Sequence, residues 1–175
     1  MRNLRLYTVD NQYIKYLQQF EENVLYGDGE KYQTERKYLG VILEINEFKY
    51  FAPLSSPKQS DYFYKNGKRF IRRNIIPLIR LVSSKNVLLG KVRLNNMIPI
   101  PEECLTLYDV ENEPDEKYRS LVQDEIICIR KQKAQIVKNA NILYNQKTKQ
   151  YAGINYLNST VDFKRAEKLC REFNK

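Results

Sequence analysis

Two hydroxyls and an ammonium group stand close together in Pro53-Leu54-Ser55-Ser56-Pro57-Lys58. The stretch follows a strongly apolar run, Tyr38 to Leu54, that reads as two paired strands, and it opens a polar, aromatic and basic segment. Pro57 stiffens the backbone between the serines and the lysine. Groups held where a rigid strand hands over to a loop are well placed for chemistry on a bound substrate. Taken by themselves the six residues read first as a strand ending in a Ser-Pro turn; the rest of the chain shifts that reading.

The sequence contains no histidine, which removes the commonest general acid–base group and the commonest metal ligand together. Any catalysis must use Lys, Arg, Tyr, Ser, Thr or carboxylates. Glu35-Arg36-Lys37 and Glu47-Phe48-Lys49 have the acid-x-Lys spacing of one metal-dependent nuclease motif. Glu and Lys are abundant here, and no convincing partner carboxylate precedes either on a matching element, so no metal or other cofactor is expected. RNA can nevertheless be cut through its own 2′-hydroxyl. That nucleophile sits beside the scissile phosphorus, so orientation supplies much of the rate. The protein must align the attack, remove a proton and stabilise a negative, phosphorane-like transition state. Hydroxyls and permanent cations suit this work, and DNA, which lacks the nucleophile, is excluded.

Charge points to the same partner. The net charge is +9. Between Asp61 and Glu102 there is no acidic residue, and this interval holds Lys65, Lys68, Arg69, Arg72, Arg73, Arg80, Lys85, Lys91 and Arg93, nine cations that equal the whole excess. A contiguous positive field of this kind favours a polyanion. Aromatics interleave with it: Tyr62-Phe63-Tyr64 precede Lys65, and Phe70 follows Arg69. Unpaired bases stack on rings while Lys and Arg hold phosphates, a pairing suited to single-stranded nucleic acid. Tyr62 and Tyr64 are the better candidates for base contact, since Phe63 and Phe70 could equally be core. A second acid-free run, Ile126 to Val161, carries Arg130, Lys131, Lys133, Lys138, Lys147 and Lys149. It could form the other wall of a groove, or be the solvated face of a helix. A non-catalytic single-stranded RNA-binding protein fits the charge and the rings as well as a nuclease does; only Ser-Ser-Pro-Lys separates the two.

The elements that must position these groups follow from pattern. At 175 residues the chain suits one domain, 1–175, with one core. No run approaches a membrane span, and the N-terminus lacks a signal-peptide apolar region, so a cytoplasmic location is the default. The three cysteines, Cys104, Cys128 and Cys170, are odd in number and far apart, which argues against disulfides or a Cys-type zinc site. Alternation predicts a first strand over 4–9, and Asp10 caps a helix over about 11–22 with Tyr13, Ile14, Leu17 and Phe20 on one face. Gly27-Asp28-Gly29-Glu30 ends it. Strands are predicted at 38–45 and 48–54, then a long loop over 55–73 in which Lys65-Asn66-Gly67-Lys68 could close a small hairpin. Further strands read at 75–82 and 87–94, an edge strand at 97–101, and one more at 105–108. A helix capped by Asn112, with Pro114 in its first turn, runs to about 145 with a possible break. A last helix begins near Thr160 or Asp162 and ends by Phe173. Strands first and helices after give an α+β fold, a strongly bent antiparallel sheet or small barrel with a long helical C-terminal part.

Pro53-Leu54-Ser55-Ser56-Pro57-Lys58 resembles the PL(S/T)SPK motif of the ToxN/AbiQ family of type III toxin–antitoxin endoribonucleases. Leu6-Tyr7-Thr8-Val9 with Tyr13-Ile14-Lys15-Tyr16-Leu17 is similar to the family's opening. Tyr38-Leu39-Gly40-Val41 with Lys49-Tyr50-Phe51-Ala52 is similar to its central strands, and Asn96-Met97-Ile98-Pro99-Ile100 to a later MIPI landmark. The resemblance is specific to about residue 110 and loose beyond. It implies a core like that of MazF-like toxins and metal-independent cleavage of mRNA and of the antitoxin precursor, leaving a 2′,3′-cyclic phosphate and a 5′-hydroxyl. It further implies inhibition by a repetitive pseudoknot RNA antitoxin in a closed protein–RNA assembly, and a role in abortive infection. Ser55, Ser56 and Lys58 match the motif; Arg36 stands where some members have Lys, and Tyr32 aligns four residues before it. Ser55 and Ser56 would bond the scissile phosphate or help move the 2′-hydroxyl proton, Lys58 and Arg36 would stabilise charge, and Tyr32 would position the nucleotide. Arginine stays protonated, which favours charge stabilisation over proton transfer at position 36.

Overall fold

The structure, a computed structural model, describes residues 3–25 and 35–173. The predicted breaker at 27–30 and Tyr32 lie outside the described residues. Nine strands and three helices are present among those described: β1 (Arg5–Val9), α1 (Asn11–Gln18), β2 (Tyr38–Ile45), β3 (Phe48–Ser55), β4 (Tyr62–Lys65), β5 (Lys68–Ile71), β6 (Leu78–Val82), β7 (Leu88–Arg93), β8 (Ile98–Pro99), β9 (Leu105–Leu107), α2 (Glu116–Thr148) and α3 (Phe163–Glu172).

One antiparallel sheet runs in the order β6-β7-β3-β2-β1-β9, with β8 added to β3, and the α+β expectation holds. The expected barrel is corrected to an open sheet: among the described residues β6 and β9 are its outer strands and do not pair with each other. Its axis is β3. On one edge β3 pairs with β2; on the other, Tyr50 and Phe51 meet β8 while Leu54 and Ser55 meet β7, with Ser55 opposite Lys91. A central proline is tolerated because the Leu54 N–H donates to Lys37 O, just before β2. The N–H that Pro53 lacks would therefore face the other edge, in the gap between the β8 and β7 pairings.

The core lies between this sheet and the helices. α1 buries Tyr13, Ile14 and Leu17 beneath an N-cap from Asp10, and the Tyr13 hydroxyl donates to Pro99 O at 2.6 Å. It stops at Gln18 rather than 22, because the Phe20 and Glu21 N–H groups both return to Leu17 O and the chain folds back to bury Val24. Phe20, expected on the buried face, is half exposed. Pro77 likewise shortens the strand expected from residue 75: Ile75 and Leu78 exchange hydrogen bonds around it as a turn. α2 starts at Glu116 under an Asp115 cap, not Asn112, and runs unbroken for 33 residues, since it contains neither Gly nor Pro. It packs on β2, β6 and β7 and against α3. Glu167 of α3 ties the layers together by accepting hydrogen bonds from Tyr50 (2.9 Å) and Tyr144 (2.6 Å).

β4 and β5 form a separate two-stranded ribbon closed by Asn66-Gly67, both at positive φ (50° and 72°) as a tight hairpin turn requires. Much of the predicted long loop is therefore this ribbon.

Candidate functional site

The end of β3 and the chain entering β2 build one wall of a cleft of about 280 Å³. Arg36, Ser55, Ser56 and Lys58 all line it, so four of the five expected catalytic residues come together; the fifth is Tyr32. Arg36 Nη1 donates to Leu54 O at 2.8 Å, which fixes the guanidinium beside the two serines. Ser56 and Lys58 are exposed. The Ser55 hydroxyl is buried in the cleft wall and bonds to no described residue, a state that costs about 1–3 kcal/mol unless a ligand or water satisfies it. The arrangement gathers two serines and two cations around one cleft.

Lys58 is held by a residue that pattern reading passed over. Its N–H donates to Asp61 Oδ2 at 2.8 Å, and Asp61 is 1% exposed. The same carboxylate accepts from Lys91 Nζ at 2.7 Å and lies 3.0 Å from Arg80 Nη2. Burial alone would raise the Asp61 pKa; the hydrogen bonds from Lys91 and the Lys58 amide, with the charges of Lys91 and Arg80, outweigh it and leave it lowered. The expectation that Arg80 and Lys91 contact RNA is thereby corrected. Both are buried, 6% and 4% exposed, and neutralise Asp61 inside the protein. The signal was available in sequence, because Asp61 is the last acid before the basic interval.

The other cations of that interval lie outward or at the cleft. Lys65, Lys68, Arg69, Arg72, Arg73 and Lys85 are exposed, and Arg93 is half-buried in the cleft wall. On the ribbon, Lys65 stands directly opposite Lys68, a like-charge pair that is unfavourable without an anion nearby. Phe63 and Phe70 are not core: they are 38% and 43% exposed and stack on each other at 5.4 Å. Tyr64 is 67% exposed, whereas Tyr62 is half-buried with the Arg69 guanidinium 4.5 Å over its ring. Arg72 and Arg73 also line a second groove with Lys131 of α2, one of the six cations of the second acid-free run.

Two buried titratable groups also line the cleft. Lys37 is buried, donates to Glu35 O at 2.8 Å and sits 4.5 Å over the Tyr108 ring; burial lowers its pKa against the opposing pull of Glu35 and Glu113. Glu125 of α2 is 7% exposed, and burial pushes its pKa up to about 7. It falls on the apolar stripe of α2 with Val122 and Ile129, and a carboxyl in a stripe of that kind was the available signal.

Comparison with known proteins places these features in context. The family described as "Toxin ToxN, type III toxin-antitoxin system" matches residues 5–171. Endoribonuclease ToxN of Pectobacterium atrosepticum is 28% identical over 178 residues, covering 98% of this chain and 95% of that protein. Endoribonuclease AbiQ of Lactococcus lactis subsp. lactis is 30% identical over 174 residues, covering 98% and 90%. Among solved structures, a chain from work on a processed non-coding RNA that regulates a bacterial antiviral system superposes with a TM-score of 0.81 at 28% identity, covering 98% of this chain and 99% of that one. AbiQ, a lactococcal anti-phage endoribonuclease belonging to the type III toxin–antitoxin system, superposes with a TM-score of 0.79 at 26% identity, covering 98% of both chains.

Proposed function

The chain belongs to the ToxN family of type III toxin–antitoxin systems and is an endoribonuclease toxin, and from that premise we propose that it cuts RNA in the Arg36–Ser55–Ser56–Lys58 cleft without a metal ion. A phosphodiester seated there meets Ser55 and Ser56 as hydrogen-bond partners and Arg36 and Lys58 as fixed cations. The 2′-hydroxyl attacks phosphorus, and the cations stabilise charge on the non-bridging oxygens and the leaving 5′-oxygen. The products carry a 2′,3′-cyclic phosphate and a 5′-hydroxyl. The substrates are cellular and phage mRNA and the toxin's own repetitive antitoxin precursor, and Tyr32 positions the nucleotide.

The inhibitor is a repetitive RNA whose units fold as pseudoknots and close a protein–RNA assembly, in a toxin that acts in the cytoplasm and serves abortive infection. Its docking surface is the ribbon, the adjoining groove and the β6–β7 turn: Tyr64, Phe63 and Phe70 offer rings, and Lys65, Lys68, Arg69, Arg72, Arg73 and Lys85 offer charge, with Tyr62 half-buried on the ribbon and Arg93 in the wall of the cleft. The sheet core is of the MazF-like kind, opened at its edges.

The observation that carries the reading is the convergence of two hydroxyls and two cations on one cleft. Ser56→Ala and Lys58→Ala test it on purified protein with target RNA. Losing a transition-state donor costs on the order of 10²–10³ in rate; full cleavage by both variants overturns the assignment.

A further inference from the structure

We propose that Glu125 is the general base of the cleavage, accepting the proton of the attacking 2′-hydroxyl. The proposal rests on the endoribonuclease reading of the cleft and supplies a group that reading lacks. A chain without histidine needs another residue able to take a proton near neutrality.

Geometry places the carboxyl there. Glu125 shares the cleft with Arg36, Ser55, Ser56 and Lys58. Its Oε1 lies only 2.2 Å from where a Cβ on Gly90 would stand, and Ser55 O lies 3.2 Å from the same point. The glycine in the middle of β7 thus makes room for the carboxyl beside the strand end that carries the serines. Among the described residues its oxygens accept no hydrogen bond, and burial alone shifts its pKa.

Charged groups face the cleft from several elements, though burial alone shifts Glu125. Arg36, Lys37 and Glu35 face the cleft from the chain entering β2, Lys58 from the end of β3, and Arg93 from β7. On α2 itself Tyr118 lines the cleft, Asp124 is exposed, and Cys128 has its own pKa raised by burial first and in part by Glu125. Burial is what raises Glu125, and the result, about 7, lies where a base is most useful at physiological pH.

The step balances. The Glu125 carboxylate takes the 2′-hydroxyl proton, and the freed electron pair of O2′ forms the bond to phosphorus. The P–O5′ bond breaks, and O5′ leaves with the bonding pair, stabilised by Lys58, and takes a proton from water. Glu125 then releases its proton to solvent.

Single-turnover cleavage across pH 5–9 tests this with wild type, Glu125→Gln, Glu125→Asp and Gly90→Ala, after a cooperative melt shows each variant folded. The wild-type rate should rise with pH and level off through an inflection near 7. Glu125→Gln should lose on the order of 10²–10⁴ in rate and the inflection with it, while RNA binding is kept. Glu125→Asp should retain an inflection, and Gly90→Ala should shift it by displacing the carboxyl. A Glu125→Gln profile that keeps the wild-type inflection overturns the proposal. So does rescue of Glu125→Gln by a substrate with sulfur in place of the leaving O5′, which would make Glu125 the acid. In either case loss of cleavage in Ser56→Ala would leave the cleft reading standing; full activity in Ser56→Ala and Lys58→Ala would remove that reading instead.

Discussion

Replacing Asp61 with Asn isolates the device that holds the Ser-Ser-Pro-Lys turn. The carboxylate is 1% exposed and stands between two buried cations, Lys91 at 2.7 Å and Arg80 at 3.0 Å. Asparagine keeps the shape and can still accept the Lys58 N–H, so the change removes charge and little else. Breaking a buried ion pair from one side costs about 3–5 kcal/mol, because the partner is left buried and uncompensated. For a domain of this size each kcal/mol shifts the melting temperature by about 2–4 °C, so a fall of about 6–20 °C is expected. Urea and thermal melts at pH 7 read it directly. The triple variant Asp61→Leu, Arg80→Met, Lys91→Met should recover much of the loss, since apolar replacement of a whole buried cluster is often near neutral. The Asp61 pKa is lowered, so its contribution is complete above the ordinary carboxylate range and is lost as pH falls through the folded-state value. The destabilisation by Asp61→Asn should therefore shrink in strong acid. A change below about 1 kcal/mol at pH 7 would mean that Asp61 is no buried counter-ion, because that is the worth of a surface pair.

Reversing Arg69, Arg72 and Arg73 to Glu should weaken binding of the antitoxin RNA and flatten its log–log salt dependence by about 2, on roughly 0.7–0.9 per phosphate contact. Phe63→Ala with Phe70→Ala should weaken binding by about 1–3 kcal/mol per stacked base with the salt slope unchanged; an unaltered slope in the arginine variant would place the RNA elsewhere. Glu125→Gln should be stabilising at pH 8 and neutral at pH 4 in urea melts. A carboxyl raised from 4.5 to about 7 holds its proton longer folded than unfolded, so wild-type stability falls between those values, by about 3 kcal/mol in all. Equal stability of the two proteins at both pH values would contradict the burial argument.

Period and turn chemistry made the sheet legible. Tyr38–Ile45 and Phe48–Ser55 follow their apolar runs, and Asn66-Gly67 closes the ribbon as its φ values demand. The open edges were not legible, because closure depends on whether β6 meets β9, and neither sequence speaks of the other. At the site, the strand end and its serines could be read from local pattern, and the cleft does gather Arg36 with them. Charge sign alone misassigned Arg80 and Lys91, since a linear count cannot tell a cation facing solvent from one facing Asp61. Phe63 and Phe70 reversed the usual preference of large rings for the core because a two-stranded ribbon standing apart from the sheet has no core to offer. Asp61 and Glu125 were passed over for a related reason: each acts through burial, which only the packing of β7 and α2 against the β3 end creates.

The proposed cleavage makes a ribose hydroxyl, oriented by this cleft, the nucleophile. It is tested most directly by a target RNA with its cut site mapped, then synthesised with one 2′-deoxy nucleotide immediately 5′ of the scissile bond, and incubated with the protein in excess EDTA. The unmodified RNA should be cut under EDTA to a 2′,3′-cyclic phosphate and a 5′-hydroxyl, and the deoxy RNA should stay intact at that bond. Cleavage of the deoxy bond would exclude the 2′-hydroxyl as nucleophile, and loss of cleavage in EDTA with recovery on adding Mg²⁺ would make the reaction metal-dependent.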